Sequence, residues 1–392
     1  MNKNHHIILV AGEASGDMHG AYLVEELKKL NPSLTFSGLG GRKMMDSGVK
    51  IDQDLTRMAV VGFWEVLKHY STIKKAFDLI LAKIHQRKPS AIILIDYPGF
   101  NLRLAKKINK QDVKVIYYIS PQVWAWKASR VELVRQYIDQ MLVLFKFEKS
   151  FYARYGIDVS FVGHPLTDTV VPSMEPVAFL KSVDLQEYKT TIGLLPGSRE
   201  KEVQRLLPEM LKAAQILKKE FPMLQFLIVK AETIDAALIE HCLNKNAVKN
   251  IRVAGQRPYD AIHACDFCVV ASGTATLEAA ILGKPMVILY KTSLLTYLLA
   301  KIFVKIPHIG LVNIVAEKAI VPELIQDQAT PKNIAGAIKK FIVDEEETSR
   351  VKCELSHLRN ILDTGGASRK AAEKILKVIN PPIQHRHENS PH

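Results

Sequence analysis

Apolar runs of four to six residues recur along the chain, and the distances between them carry the first information about its fold. HIILVAG (6–12), SAIILID (90–96), VKVIYYIS (113–120), QMLVLF (140–145) and VSFVG (159–163) are separated by helix-length stretches of mixed polarity, the first of them predicting a helix from about Gly20 to Leu30. Runs that stay apolar at successive positions suit strands buried on both faces. Connections this long require crossovers, so the pattern predicts a parallel, doubly wound sheet. A less regular stretch at about 165–189, with Pro165, Pro172 and Pro176, interrupts the pattern, which then restarts. TIGLLPGSRE (191–200), QFLIVKA (225–231), NIRVAG (250–255), DFCVVASG (266–273) and PMVILYK (285–291) predict a second parallel sheet.

The fold class expected is therefore α/β, with two tandem Rossmann-like domains and a helical C-terminus. The boundaries expected are 1–167 and 168–343, followed by helices over 344–380 that pack back on the first domain or on a partner subunit, and a disordered tail at 381–392. A chain of 392 residues suits this division, because single cores stop growing at about 250–300 residues. In doubly wound sheets ligands bind at the carboxyl ends of the strands, which predicts a cleft shared by the two domains.

Composition narrows the partners more than the fold. Hydrophobic residues at 48% and charged residues at 24% argue against disorder and against an integral membrane protein. No apolar stretch reaches the roughly 18–20 residues that span a bilayer, and the run at 7–11 meets Gly-Glu-Ala-Ser-Gly-Asp without a cleavage site, so no signal peptide is expected. The net charge of +13 and a pI near 9.4 imply an anionic partner, and charge alone does not choose among nucleic acid, a membrane face and phosphorylated substrates. No nucleic-acid-binding module is apparent, and the Lys and Arg residues are dispersed rather than striped, so no nucleic-acid partner is expected. The four cysteines are few and unevenly spread, which suits a reducing compartment. Cys265 and Cys268 form a CxxC without a second pair or nearby histidines, so buried thiols are expected rather than a metal site.

Two motifs carry the candidate chemistry. In LPGSRE (195–200) a strand ends in Pro196-Gly197-Ser198 and a helix begins, so backbone N–H groups and the helix dipole make an anion site. Arg199 adds a planar cation suited to bidentate contact with a diphosphate. An ordinary Ser-capped helix with Glu200 and Glu202 in its first turns would read similarly. The second motif, SGTATLE (272–278), repeats the arrangement: Ser272, Gly273 and Thr274 can approach phosphate, and Glu278, one turn on, can accept ribose hydroxyls. Two such helix N-termini in one domain predict a nucleoside diphosphate ligand. Neither is a P-loop, so ATP hydrolysis is not expected.

In the first domain, Glu13 and Asp17 would repel a pyrophosphate, so the turn holding Glu13, Ser15, Gly16 and Asp17 is expected to receive an acceptor hydroxyl instead. Asp96 ends a buried strand, where a general base is wanted; a carboxylate capping the next turn is the alternative. His19 and His164 are weaker candidates. The segment 59–70, with Val61, Phe63 and Trp64, and the segment 294–312, with Lys301, Lys305 and His308, suit acyl chains or a membrane face, although core helices show the same pattern.

Taken in order, AGEASGD (11–17), GLGG (38–41), IDYPGFN (95–101), SPQVWAWK (120–127), FVGHPL (161–166), LPGSREKEV (195–203), ASGTATLE (271–278), LVN (311–313) and VPELIQ (321–326) closely resemble the lipid-A-disaccharide synthase family over about residues 6–375. The resemblance implies a GT-B glycosyltransferase, peripheral on the cytoplasmic face of the inner membrane of Gram-negative bacteria. It implies transfer from UDP-2,3-diacylglucosamine to 2,3-diacylglucosamine 1-phosphate, with UDP released and no metal or other cofactor. The family's essential arginine matches Arg199. Its nucleotide-pocket residues match Ser198, Ser272, Gly273, Thr274, Glu278, Asn313, Glu323 and Gln326, and its conserved aspartate matches Asp96. Gly99 stands where many members carry an acid. A UDP-sugar 2-epimerase of the same fold is the alternative reading, and a homodimer is compatible with both.

Overall fold

The computed structural model describes residues 5–56, 70–108, 113–121, 123, 129–246, 251–293, 297, 307–362 and 365–380. Two compact units divide the chain, one comprising Met1–Pro165 and Gly366–His392, the other Leu166–Gly365.

The first unit is built on seven parallel strands: β1 (His6–Ala11), β2 (Thr35–Leu39), β3 (Lys50–Gln53), β4 (Ala91–Ile95), β5 (Lys114–Tyr118), β6 (Gln140–Val143) and β7 (Val159–Phe161), in the order β3-β2-β1-β4-β5-β6-β7. Every residue of β4 and all but the first of β1 are buried. Hydrophobic burial, at about 25 cal/mol per Å² of apolar surface, therefore acts on both faces of the central strands. One core cluster, around Ile8, Val10, Ile92 and Leu94, lies on one face, and a second, around Ile7, Leu9, Ile93 and Ile95, lies on the other. Helices α1 (Ala14–Leu30), α2 (Arg42–Asp46), α3 (Tyr70–Arg87), α4 (Pro98–Lys107), α5 (Ser129–Tyr137) and α6 (Lys146–Ala153) complete the crossovers.

In the second unit, β8 (Thr191–Leu195), β9 (Gln225–Val229), β10 (Ile251–Ala254), β11 (Phe267–Ala271), β12 (Met286–Tyr290) and β13 (Glu323–Ile325) form a parallel sheet in the order β10-β9-β8-β11-β12-β13. Its described helices are α7 (Leu166–Thr169), α8 (Pro176–Ser182), α9 (Glu200–Glu220), α10 (Ala236–Lys245), α11 (Pro258–His263), α12 (Thr274–Ile281), α13 (Leu311–Ala316), α14 (Pro331–Val343) and α15 (Glu345–Leu362).

Three strands escape the apolar-run reading. β2 begins TFSG, β3 reads KIDQ, and β13 has only three residues, all partly exposed. The proline-punctuated stretch from 166 on is ordered into α7 and α8 and belongs wholly to the second unit. It is pinned there by Asp260, whose carboxylate accepts hydrogen bonds from the backbone N–H groups of Ser173 and Met174 and from the Ser173 hydroxyl.

The segment 344–380 does not pack as one piece. α15 buries Val351, Leu355, Leu358 and Leu362 against α12, α13 and α14 of the second unit. α16 (Ala367–Ile379) buries Ala367, Ala371, Ala372 and Ile375 against α1 and β5 of the first. The break falls at Gly365 and Gly366, both left-handed at φ 59° and 67°, a conformation glycine adopts without steric cost.

Candidate functional site

In the second unit the two sequence motifs end neighbouring strands. β8 and β11 are paired in parallel register, Leu195 beside Val270, at the point where the strand order reverses. At such a point successive crossovers leave on opposite faces, and the two loops open apart. Pro196-Gly197-Ser198 leads from β8 into α9, with Arg199 in the extended N-cap conformation, and Ser272-Gly273 leads from β11 into α12. Two helix N-termini thus meet beside one pair of strand ends, where their dipoles add. Gly197 has φ 114°, and a Cβ there would lie 2.6 Å from the Glu202 carboxylate. Arg199 donates to Glu202 Oε1 at 2.9 Å, and the Thr233 hydroxyl holds the Ser198 carbonyl at 2.7 Å.

Glu278 lies one turn into α12, partly buried. The other residues matched to the nucleotide pocket have internal work. Asn313 is fully buried, and all four hydrogen-bond positions of its amide are taken: it donates to the Val321 carbonyl and Glu323 Oε1, and accepts from the N–H groups of Ile320 and Val321. Its side chain therefore holds the turn from Ile320 to Glu323 in place. Glu323 accepts from Ile309 N at 2.8 Å and Gly310 N at 2.9 Å, closing the start of α13. The Ile309 carbonyl in turn accepts from the Ser272 hydroxyl at 3.3 Å, which links this network to the SGT turn. Gln326 is buried and brackets Thr292, accepting from its N–H and donating to its carbonyl. Asn313→Ala would strip partners from several buried polar groups, each worth about 1–3 kcal/mol when left unsatisfied. The expected result is a loss of about 2–4 kcal/mol in urea unfolding, by the same reasoning.

The first unit repeats the switch-point geometry with acids in place of cations. β1 and β4 are paired, Ala11 beside Ile95, so Glu13 and Asp96 follow neighbouring strand ends. Asp96 and Tyr97 are both left-handed, at φ 46° and 44°. Such residues cost about 1–3 kcal/mol each and persist where their surroundings over-determine them. Here the Asp96 carbonyl accepts from the Tyr117 hydroxyl at 2.5 Å and from Asn101 Nδ2 at 2.8 Å, and Asn101 also donates to the Ile95 carbonyl at 3.2 Å. The Tyr97 ring stacks on Phe100 and lies against Gly12, where a Cβ would approach it to 2.3 Å. Loss of solvation, and then the neighbouring Glu13 charge, push the Asp96 carboxyl up to about 7, while a hydrogen bond from the Tyr97 N–H opposes them. A base poised near neutral pH is what hydroxyl activation requires.

The remaining predicted residues of this turn separate. Asp17 is buried, and its carboxylate accepts from the N–H groups of Gly41, Lys43 and Met44, so it closes the start of α2. Gly16 is buried, and a Cβ there would come to van der Waals contact with Ala11 Cβ at 3.4 Å. The Asp17 carboxylate is thus engaged within the unit, and Ser15 is partly exposed. His19 and His164 are buried edge to face at 6.0 Å, and burial lowers their pKa values to about 4 and about 3, leaving both neutral at pH 7. Val61, Phe63 and Trp64, like most of 294–312 and the tail from 381, lie outside the described residues. Cys265 and Cys268 are buried free thiols, and among the described residues no cluster of metal-ligating side chains is found.

Glu202, Tyr290 and Thr233 were not singled out as site residues by sequence. Only Glu202, inside LPGSREKEV, left a signal, because the others come from strand and loop ends that pairing brings to this turn.

Two parallel sheets of this order in tandem define a protein of the GT-B class. The UDP-GlcNAc 2-epimerase of Neisseria meningitidis bound to UDP-GlcNAc shares the fold, with a TM-score of 0.65 at 16% identity over 95% of this chain and 100% of that one. So does the calicheamicin glycosyltransferase CalG4, with a TM-score of 0.60 at 14% identity over 98% of this chain and 100% of that one. Sequence separates the family from these fold relatives. The model for lipid-A-disaccharide synthetase matches residues 7–379. The lipid-A-disaccharide synthase of Geobacter sulfurreducens is 43% identical over 97% of this chain and 99% of its own, and that of Syntrophus aciditrophicus is 44% identical over 95% and 97%. The chain belongs to the lipid-A-disaccharide synthetase family and is a glycosyltransferase of lipid A biosynthesis.

Proposed function

We propose that the chain transfers 2,3-diacylglucosamine from UDP to the 6-hydroxyl of 2,3-diacylglucosamine 1-phosphate, with inversion at the anomeric carbon and release of UDP. The observation that carries this reading is the placement of LPGSRE and SGTATLE at neighbouring strand ends, in a chain of this family. Asp96 takes the proton of the attacking hydroxyl, and Glu13 keeps the Asp96 carboxyl basic. Arg199, with the N–H groups opening α9 and α12, takes up the charge that develops on the departing diphosphate. Gly197, Ser198, Ser272, Gly273 and Thr274 line those turns, and Glu278 accepts the ribose hydroxyls. Glu323 and Gln326 shape the surrounding loops. No metal or other cofactor is assigned a part.

Acyl chains are assigned to 59–70, and the net charge of +13 suits an anionic membrane face and a phosphorylated acceptor. Among the described residues no helix is long and apolar enough to cross a membrane, which is compatible with peripheral attachment to the cytoplasmic face. A homodimer is part of the same reading.

The test is a coupled assay of UDP release from UDP-2,3-diacylglucosamine with and without the monosaccharide 1-phosphate. Release only with acceptor is expected. Acceptor-independent release, or none from folded protein, would count against the proposal, and a free 2-epimerised sugar would favour an epimerase.

Gly99 stands three residues after Asp96. It lies in the first turn of α4, and a Cβ there would meet nothing within 4 Å among the described residues. An aspartate is therefore accommodated, gaining helix propensity and a favourable place near the helix's positive end. Gly99→Asp is expected to raise stability by about 0.5–1 kcal/mol, read as a shift of the urea midpoint to higher concentration.

A further inference from the structure

The LPGSRE turn contains an acid at a place assigned to an anion. Glu202 stands three residues beyond the N-cap of α9, in its first turn. Its carboxylate lies over the Gly197 backbone, in space that a side chain on residue 197 would fill, and it accepts from the Arg199 guanidinium at 2.9 Å. Arg199 and Glu202 are 42% and 29% exposed, so the pair sits where solvent and a ligand can reach it. Tyr290, at the carboxyl end of β12, has its hydroxyl pushed up by burial and then by the Glu202 charge, and pulled down by Arg199 and Arg205.

An acid in this position opposes a diphosphate in two ways. It occupies donors of Arg199 that would otherwise fork onto phosphate oxygens, and it adds a negative charge where the helix dipole favours an incoming one. We propose that Glu202 is a built-in competitor for the diphosphate: it holds Arg199 over the turn in the free enzyme, yields it to the nucleotide, and takes it back to hasten departure of UDP. The proposal rests on the assignment of this turn to the nucleotide. Glu202 is on this account a positioning residue, acting through Arg199.

The experiment measures the UDP dissociation constant by titration calorimetry at fixed ionic strength, for the wild type, Glu202→Gln, Glu202→Asp, Arg199→Ala and the Arg199→Ala/Glu202→Gln double variant. Neutralising Glu202 is expected to tighten UDP binding by about threefold to tenfold, the net worth of about one hydrogen bond of the Arg199 guanidinium returned to the diphosphate. The product inhibition constant for UDP should fall in parallel. In the Arg199→Ala background the same change should yield less than half that gain, because the competition acts through the guanidinium. Glu202→Asp, whose shorter side chain releases the pair while keeping the charge, should fall between wild type and Glu202→Gln, and it serves if Glu202→Gln does not fold. Unchanged or weaker UDP binding in both Glu202 variants would overturn the proposal while leaving the nucleotide site intact. Failure of the wild type to bind UDP would overturn the nucleotide assignment itself, and this proposal with it.

Discussion

Asp96→Asn is expected to lower turnover about a hundredfold to ten-thousandfold, the usual contribution of a positioned general base. Asparagine keeps the shape of the side chain, and the Asp96 main-chain bonds to Tyr117 and Asn101 do not depend on the carboxylate. The variant should therefore fold. Its stability should rise at neutral and higher pH, because the folded-state pKa of Asp96 is raised from 3.8 to about 7. A group raised in this way favours the fold while protonated and loses that contribution as pH climbs through the folded value. Asparagine removes the ionisation. Loss of activity together with higher thermal stability above pH 7 is the signature of a base buried for function; near-normal turnover would remove Asp96 from the role.

Glu13→Gln tests the same site by pH. Burial is the larger cause of the raised Asp96 value and remains in this variant, whereas the Glu13 charge is removed. The acid limb of kcat/KM should therefore move to lower pH but stay above the range of an ordinary aspartate. The groups bearing on the carboxyl are Glu13 from the β1 loop and the Tyr97 N–H, with Tyr117 facing it from β5. An unmoved limb would show that the Glu13 charge does not act on the base.

Arg199→Ala is expected to lower kcat/KM by about a hundredfold to a thousandfold, comparable to loss of one donor aimed at developing charge. Both parameters should suffer, with KM rising through weaker diphosphate binding and kcat falling through the leaving group. The Arg199 side chain is 42% exposed and pairs with Glu202 at the surface, so the thermal midpoint should barely change. Arg199→Lys should restore the charge but not the planar fork, and so recover only part of the loss. Full recovery with lysine would reduce the role of Arg199 to that of a point charge.

How much of this was legible depended on what kind of interaction decides each feature. β1, β4, β8 and β11 were readable as unbroken apolar runs because strands buried on both faces must be apolar at every position. β2, β3 and β13 were not: they are short and carry polar or partly exposed residues, and their pairing comes from the neighbouring strand rather than from their own composition. LPGSRE and SGTATLE were legible as helix starts, since the Pro, Gly and Ser residues that turn the chain out of a strand act locally; neither helix has a side-chain cap.

By itself, then, the sequence determined two parallel α/β units, the strand-to-helix turns at LPGSRE and SGTATLE, and the family, because these follow from periodicity, turn residues and ordered motifs. Tertiary structure decided which residues share a task. Asp17 and Asp96 are both acids that follow buried strands, one in the first turn of α1 and one in a loop, yet α2 folds over the first and consumes its carboxylate, while the other is left beside Glu13 with its ionisation delayed. Asn313, Glu323 and Gln326 stood among the expected nucleotide contacts, but their bonds run to Ile309, Val321 and Thr292. Strand order and the destination of each buried hydrogen bond are set by contacts far apart in the chain, and no local pattern of residues encodes those.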